Sequence, residues 1–161
     1  MRPRSSPTNQ PAASPLPALG NDAARRPTQA APGAPLRILI ADADAEMRRL
    51  LALVLRTDGH DIVEVSEGSA LLEAIASLVI DGAHPFDVIM SAQAIPGLPG
   101  VSVLAGLRSR GRRTPFVLMT GNPVVQAQAT RLGAVVLDRP FDAEAIRRAV
   151  RRADALAQGT R

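Results

Sequence analysis

The 161-residue sequence contains no cysteine, lysine, tryptophan or tyrosine, and only three phenylalanines. Without cysteine there can be no disulfide, thiol nucleophile or thiolate metal site, which suits a reducing compartment. Aromatics make up 2% of the chain against 46% hydrophobic residues, so any core must be aliphatic. All nineteen basic residues are arginine, which lifts the isoelectric point to about 11.3 while the net charge is only +4. Long apolar runs are also missing. None approaches the ~18 residues of a membrane span, and the opening MRPRSSPTNQ lacks the apolar centre of a secretory signal. Its Arg and Ser content would suit a transit peptide, but repeated prolines oppose the amphipathic helix such a peptide needs. A cytoplasmic protein is expected.

The positive charge is unevenly placed. Residues 1–35 carry Arg2, Arg4, Arg25 and Arg26 against Asp22, a net of +3, and leave the remainder at +1. A near-neutral remainder is not a basic nucleic-acid module. The same segment holds eight prolines among Ala, Ser and Gly. Such a segment cannot bury enough apolar surface to offset its ordering entropy, so a disordered tail over 1–35 is expected, either a partner-binding arm or a linker. A single folded domain is expected over 36–157, with a short tail over 158–161.

From Leu36 the pattern is that of alternating strands and helices. LRILIA (36–41) is a continuous apolar run of strand length, as in a parallel strand covered on both faces. Asp44 is placed to cap a helix through about Thr57, with Met47, Leu50, Leu51 and Val54 at helical spacing and Gly59 as its stop. A second strand is expected over Asp61–Val65. The helix after it spans Ser66 to about Gly82, with Leu71, Leu72, Ile75, Leu78 and Val79 on one stripe. Phe86–Ser91 reads as a buried strand breaking into a Pro/Gly loop. A helix over Val101–Arg110, a strand over 115–120 and a short helix over Pro123–Leu132 follow. Ala134–Leu137 is the fifth strand, and Asp142 to about Ala157 the closing helix. Five strands alternating with five helices argue for an open parallel α/β sheet with helices on both faces.

In such a sheet, ligands and reacting groups collect where the strands end. The segment FDVIMSAQAIPGLPG (86–100) resembles the third strand and following loop of CheY-like response-regulator receiver domains. In that family the strand ends in an aspartate that accepts a phosphoryl group, with Pro four and Gly eight residues later. Pro96 and Gly100 fit this spacing, and both count back to Ala92. The resemblance covers about residues 36–155. It implies the strand order 2-1-3-4-5 and a site at the C-terminal edge of the sheet.

By the same resemblance, ILIADADAE matches a pattern ending in paired acids: Asp42 takes the first acidic position and Ala43 the second. Thr120 in LMTGN falls on a hydroxyl position that binds the phosphoryl group. Arg139 in LDRPF stands where the family has Lys, and the aromatic switch position falls near Val136. The family chemistry uses Mg²⁺, a hard ion that wants oxygen ligands, to screen a phosphoryl group attacked by a carboxylate. Here one of three carboxylates remains and the nucleophile is an alanine, so no catalytic role and no tight Mg²⁺ site or other cofactor is expected. Arg139, with its planar fork, is expected to pair with Asp42 and close the vacated site.

Other acceptors fare poorly. Asp87 lies about 17 Å before Ala92 at the opposite end of the strand, and Ser91 points to the other face. His60 and His84 are expected as surface loop residues. No Ser-His-Asp set, P-loop or GxGxxG is present.

The last helix places Ile146, Ala149, Val150, Ala153 and Leu156 on a core stripe and Arg147, Arg148, Arg151 and Arg152 outside. Glu144 is spaced to pair with Arg148. Arg110, Arg112 and Arg113 are expected to be solvated. The resemblance implies signalling through the fourth helix, fifth strand and fifth helix. Val124, Val125 and the outer arginines then form a face for a protein partner (a histidine kinase, a phosphotransfer or other signalling protein) or for a second copy. No membrane or nucleic-acid partner is expected. The leading expectation is an atypical receiver working through protein contacts without aspartyl phosphorylation. The alternatives are a flavodoxin-like small-ligand binder, disfavoured by the lack of a phosphate-cradling glycine pattern, and DNA binding through the Arg tail and last helix, disfavoured by the near-neutral domain.

Overall fold

A computed structural model of the protein describes residues 33–80 and 84–159. The tail expected over 1–35 falls almost wholly outside the described residues. Ten elements alternate along the chain. They are β1 (Arg37–Ala41), α1 (Ala45–Thr57), β2 (Asp61–Val65), α2 (Gly68–Ile80), β3 (Val88–Ala92), α3 (Gly100–Ser109), β4 (Phe116–Met119), α4 (Pro123–Arg131), β5 (Val135–Leu137) and α5 (Ala143–Gly159). The strands form one parallel sheet in the order β2-β1-β3-β4-β5, as expected.

Right-handed crossovers between parallel strands fix which helices share a face. The step from β1 to β2 runs opposite to every later step, so α1 lies on one face and α2, α3 and α4 on the other. After β5 the chain returns with α5 beside α1. Arg147 Nε donates to Asp58 Oδ2 at 2.8 Å, tying α5 to the C-cap of α1. Between the layers β1, β3 and β4 are buried almost throughout, which is why they read as unbroken apolar runs.

Asp44 caps α1, its carboxylate accepting from the N–H groups of Glu46 and Met47. Asn122 does the same for α4 through Val124 and Val125. The apolar stripes are narrower than the sequence suggested. In α1 the core takes Leu51, Ala52, Val54 and Leu55; Leu50, about 100° around the helix from Leu51, is 42% exposed. In α2 the arc Leu71, Ile75 and Leu78 is buried, and Leu72 beside it is 52% exposed. Leu156 lies beyond the last buried position of α5, Ala153, and faces outward. The closing helix runs to Gly159, two residues past its expected end.

Candidate functional site

Three strand ends meet at one edge of the sheet. Ala41 pairs with Ser91, so Asp42 comes level with Ala92 one residue on. Ala92 pairs with Met119, and Met119 with Leu137, which sets Thr120 beside them. The ladders continue past the strands: Asp42 N donates to Val65 O, Gln93 N to Met119 O and Thr120 N to Leu137 O. The chain tips that carry Asp42, Ala92 and Thr120 are therefore held by backbone hydrogen bonds.

Asp42 is 4% exposed. Its Oδ1 accepts from Asp44 N at 2.9 Å, and its Oδ2 accepts from Arg139 Nη2 at 3.0 Å. The pairing expected between Arg139 and Asp42 is thus formed. Arg139 also lies over the Phe141 ring, 5.8 Å from its centroid, and precedes a cis peptide bond to Pro140. Ala92 is 3% exposed and offers only a methyl group. Ala43 is exposed and carries no ligand atom on its side chain. Thr120 is buried, and its Oγ1 accepts from Asn122 N at 3.2 Å while Gln126 Nε2 bonds its carbonyl. That arrangement makes its hydroxyl part of the turn into α4. Val136 lies half-buried on β5 opposite Leu118.

Two contributors were missed by sequence reasoning. Arg48 of α1 reaches back over the loop after β1, its Nη1 donating to Asp42 O at 2.7 Å and Ala43 O at 3.2 Å. The available signal was an arginine close to the N-terminal end of a helix, where the dipole disfavours it unless it has carbonyl partners. Gln93 follows Ala92 and caps α3, accepting from Gly100 N through its carbonyl and from Val101 N through Oε1. Pro99, the residue at the cap position, makes no side-chain bond, so the acceptor had to come from elsewhere.

The loop between β3 and α3 is tightly seated. A Cβ at Gly100 would collide with the carbonyl oxygen of Ala92, Ser91 Oγ and a methyl of Leu118. A Cβ at Gly68, at the start of α2, would meet Leu98 Cβ at 2.6 Å and Pro96 O at 3.1 Å. Ile95 is buried beneath the loop.

This donor set does not fit a hard octahedral ion. Both oxygens of Asp42 are engaged, Ala43 and Ala92 offer none, and no group of three His, Cys, Asp or Glu side chains with metal-holding geometry occurs among the described residues.

The remaining residues singled out by sequence fall as follows. Asp87 lies at the strand-start edge, where its Oδ2 accepts from Arg37 N at 2.7 Å, away from Ala92. Ser91 is fully buried and donates to Ala92 O. His84 is exposed, but His60 is not a free surface residue. Its Nδ1 accepts from Leu36 N at 3.1 Å, and burial lowers its pKa, opposed by Asp58 and Asp154. On α5, Arg148, Arg151 and Arg152 face outward as expected, whereas Arg147 is half-buried against Asp58. Glu144 pairs with Arg151 at 2.8 Å instead of Arg148; seven residues bring Arg151 to within about 20° of Glu144 around the helix. On α4, Val124 is 74% exposed and Val125 half-buried. Arg110 and Arg113 are exposed, but Arg112 is half-buried.

Residues 38–151 match the family model described as the response regulator receiver domain. The chain belongs to this family, the receiver domains of two-component response regulators. It is 32% identical over 120 residues to the regulatory protein AtoC of Escherichia coli, an alignment covering 73% of this chain and 25% of AtoC. It is 31% identical over 108 residues to the transcriptional regulatory protein FixJ of Bradyrhizobium diazoefficiens, covering 65% and 50%. The chain thus spans a quarter to a half of these relatives. Among solved structures, the chemotaxis response regulator CheY4 of Vibrio cholerae superposes with a TM-score of 0.63 at 22% identity, covering 74% of this chain and 98% of CheY4. NtrX of Brucella abortus gives 0.67 at 21% identity, covering 78% and 28%. At these identities the structures speak for the fold. No helix among the described residues is long and apolar enough to cross a membrane.

Proposed function

We propose that this receiver acts in two-component signalling as a pseudo-receiver, through protein contacts and without aspartyl phosphorylation, enzymatic activity or a bound metal. The observation that carries the reading is the pairing of losses at one strand edge: Ala92 where an acceptor carboxylate belongs, and Asp42 engaged by Arg139 at 3.0 Å. A phosphoryl acceptor needs a nucleophilic oxygen and a cation to screen the incoming charge. This edge supplies a methyl group and an arginine already paired.

A site held closed cannot toggle by the family chemistry. The domain therefore presents one conformation to a histidine kinase, a phosphotransfer protein or another signalling protein in the cytoplasm, and control rests on binding or abundance. Val124, Val125, Arg148, Arg151 and Arg152 are the residues best placed for such a contact on α4 and α5.

The test is spectroscopic. Amide resonances of the native chain should superimpose with and without a small phosphodonor and Mg²⁺. Shifts centred on residues 42, 92 and 120 would overturn the reading.

A further inference from the structure

The near-neutral domain conceals a strong separation of charge. Residues 36–87, which build β1, α1, β2 and α2, hold four arginines against ten acidic residues, a net of −6. Residues 88–137 hold five arginines and no acidic residue, and residues 138–161 hold six arginines against four. The second half of the domain therefore carries +7. The strand order β2-β1-β3-β4-β5 sets β2, from the acidic stretch, at one end of the sheet and β4 and β5, from the stretch without an acidic residue, at the other, while α5 returns beside α1.

The basic end has a defined centre. Arg108 Nε donates to Leu132 O at 2.8 Å, and its Nη atoms donate to Arg112 O and Thr114 O. These bonds draw the turn from Arg110 to Arg113 against the end of α4, where Arg131 lies. Arg108 is partly desolvated and feels the like charge of Arg113. None of Arg108, Arg110, Arg112, Arg113 and Arg131 forms an ion pair among the described residues. Five like charges are held together in a stretch, residues 88–137, that carries no acidic residue.

The acidic end is its complement. Glu67 and Glu73, at the start and on the outer side of α2, are exposed and unpaired among the described residues. Beside them α2 leaves Leu72 and Ile80 52% and 76% exposed. An outward apolar pair on a helix with a single charged residue, Glu73, is a face that gains from being covered. The basic end offers Val124, equally exposed, as an apolar counterpart.

We infer that the occupant of each end is the opposite end of a second copy, in a head-to-tail association between the Glu67/Glu73 face of α2 and the Arg110–Arg113/Arg131 cluster. One chain supplies both halves of the complementary pair, which a separate polyanion would leave half explained. Because the two patches differ, the contact is heterologous and does not close at two copies unless a rotation returns the chain on itself. The inference makes no use of Ala92 and holds whether or not that site transfers phosphate.

The test uses the full chain in sedimentation velocity across salt. Association should grow with concentration at about 0.01 M salt, where charges act over about 30 Å, and vanish near 1 M, where they act over about 3 Å. Two double variants separate the ends: Glu67→Arg with Glu73→Arg, and Arg113→Glu with Arg131→Glu, each first checked for an unchanged circular dichroism spectrum and melting temperature. Each alone should weaken self-association by at least about tenfold, and mixing them should restore it, because each then meets its opposite. A native chain that stays monomeric at low salt would overturn the inference. So would a mixture that fails to associate; binding of the native chain, but not the Arg113/Arg131 variant, to duplex DNA or polyglutamate would then assign the basic end to another polyanion.

Discussion

Arg139 and Asp42 meet across 97 residues of sequence, Nη2 to Oδ2 at 3.0 Å, with the carboxylate side chain 5% exposed and the guanidinium side chain 36% exposed. Removing one partner of a fully buried pair costs about 3–5 kcal/mol. Here water reaches the arginine and screens part of the interaction. Arg139→Ala should therefore destabilise the domain by about 1–2 kcal/mol in urea unfolding, chiefly by stranding the Asp42 carboxylate. The double variant Asp42→Ala, Arg139→Ala should recover part of that loss. If the single arginine variant is as stable as the native chain, the pair does not hold the edge together.

His60 gives the fold a pH dependence of definite sign. In the folded chain its Nδ1 accepts from the Leu36 N–H, so the neutral ring is the bonded form. Burial lowers its pKa below the ordinary 6.5, against the opposing charges of Asp58 and Asp154. The unfolded chain then binds the proton more readily, so this contribution is complete above pH 6.5 and is lost as pH falls through that value toward the lowered folded one. Unfolding free energies from pH 7.5 to 5 should decline in the native chain and decline less in His60→Gln. Parallel pH profiles would show that the ring is not the source.

Gly100 is required by contact, not by a left-handed backbone. A methyl group there would strike the Ala92 carbonyl oxygen and Ser91 Oγ. Gly100→Ala should cost about 1–3 kcal/mol, as overpacking does, and should perturb amides from Ser91 to Val101. Gly121→Ala, whose added Cβ would come no closer than 3.8 Å to Asp138 Oδ1, is the tolerant control.

Much of this was legible in the sequence because its signals are local. Unbroken apolar runs gave β1, β3 and β4; Asp44 gave the start of α1; Pro96 and Gly100 gave the loop and the position of Ala92. The pair of Arg139 and Asp42 was legible only through the family resemblance, which says which strand ends meet. Side-chain destinations were harder. Leu72 and Leu71 are adjacent leucines in an almost uncharged helix, and only the docked sheet selects Leu71 for the core. His60 looked like a loop residue because its partner, the Leu36 N–H, lies 24 positions away. Gln93 and Arg48 act on backbone groups, which leave no mark in a pattern of side chains.

The absence of an acceptor at Ala92 is tested most directly by intact mass after incubation with a small phosphodonor and Mg²⁺, with Ala92→Asp treated alongside. The native chain is expected to gain no phosphoryl group. Modification of the variant alone would mean that the edge keeps its geometry and lacks only the nucleophile. A phosphoryl group on the native chain would contradict the pseudo-receiver outright, wherever it is found to be attached.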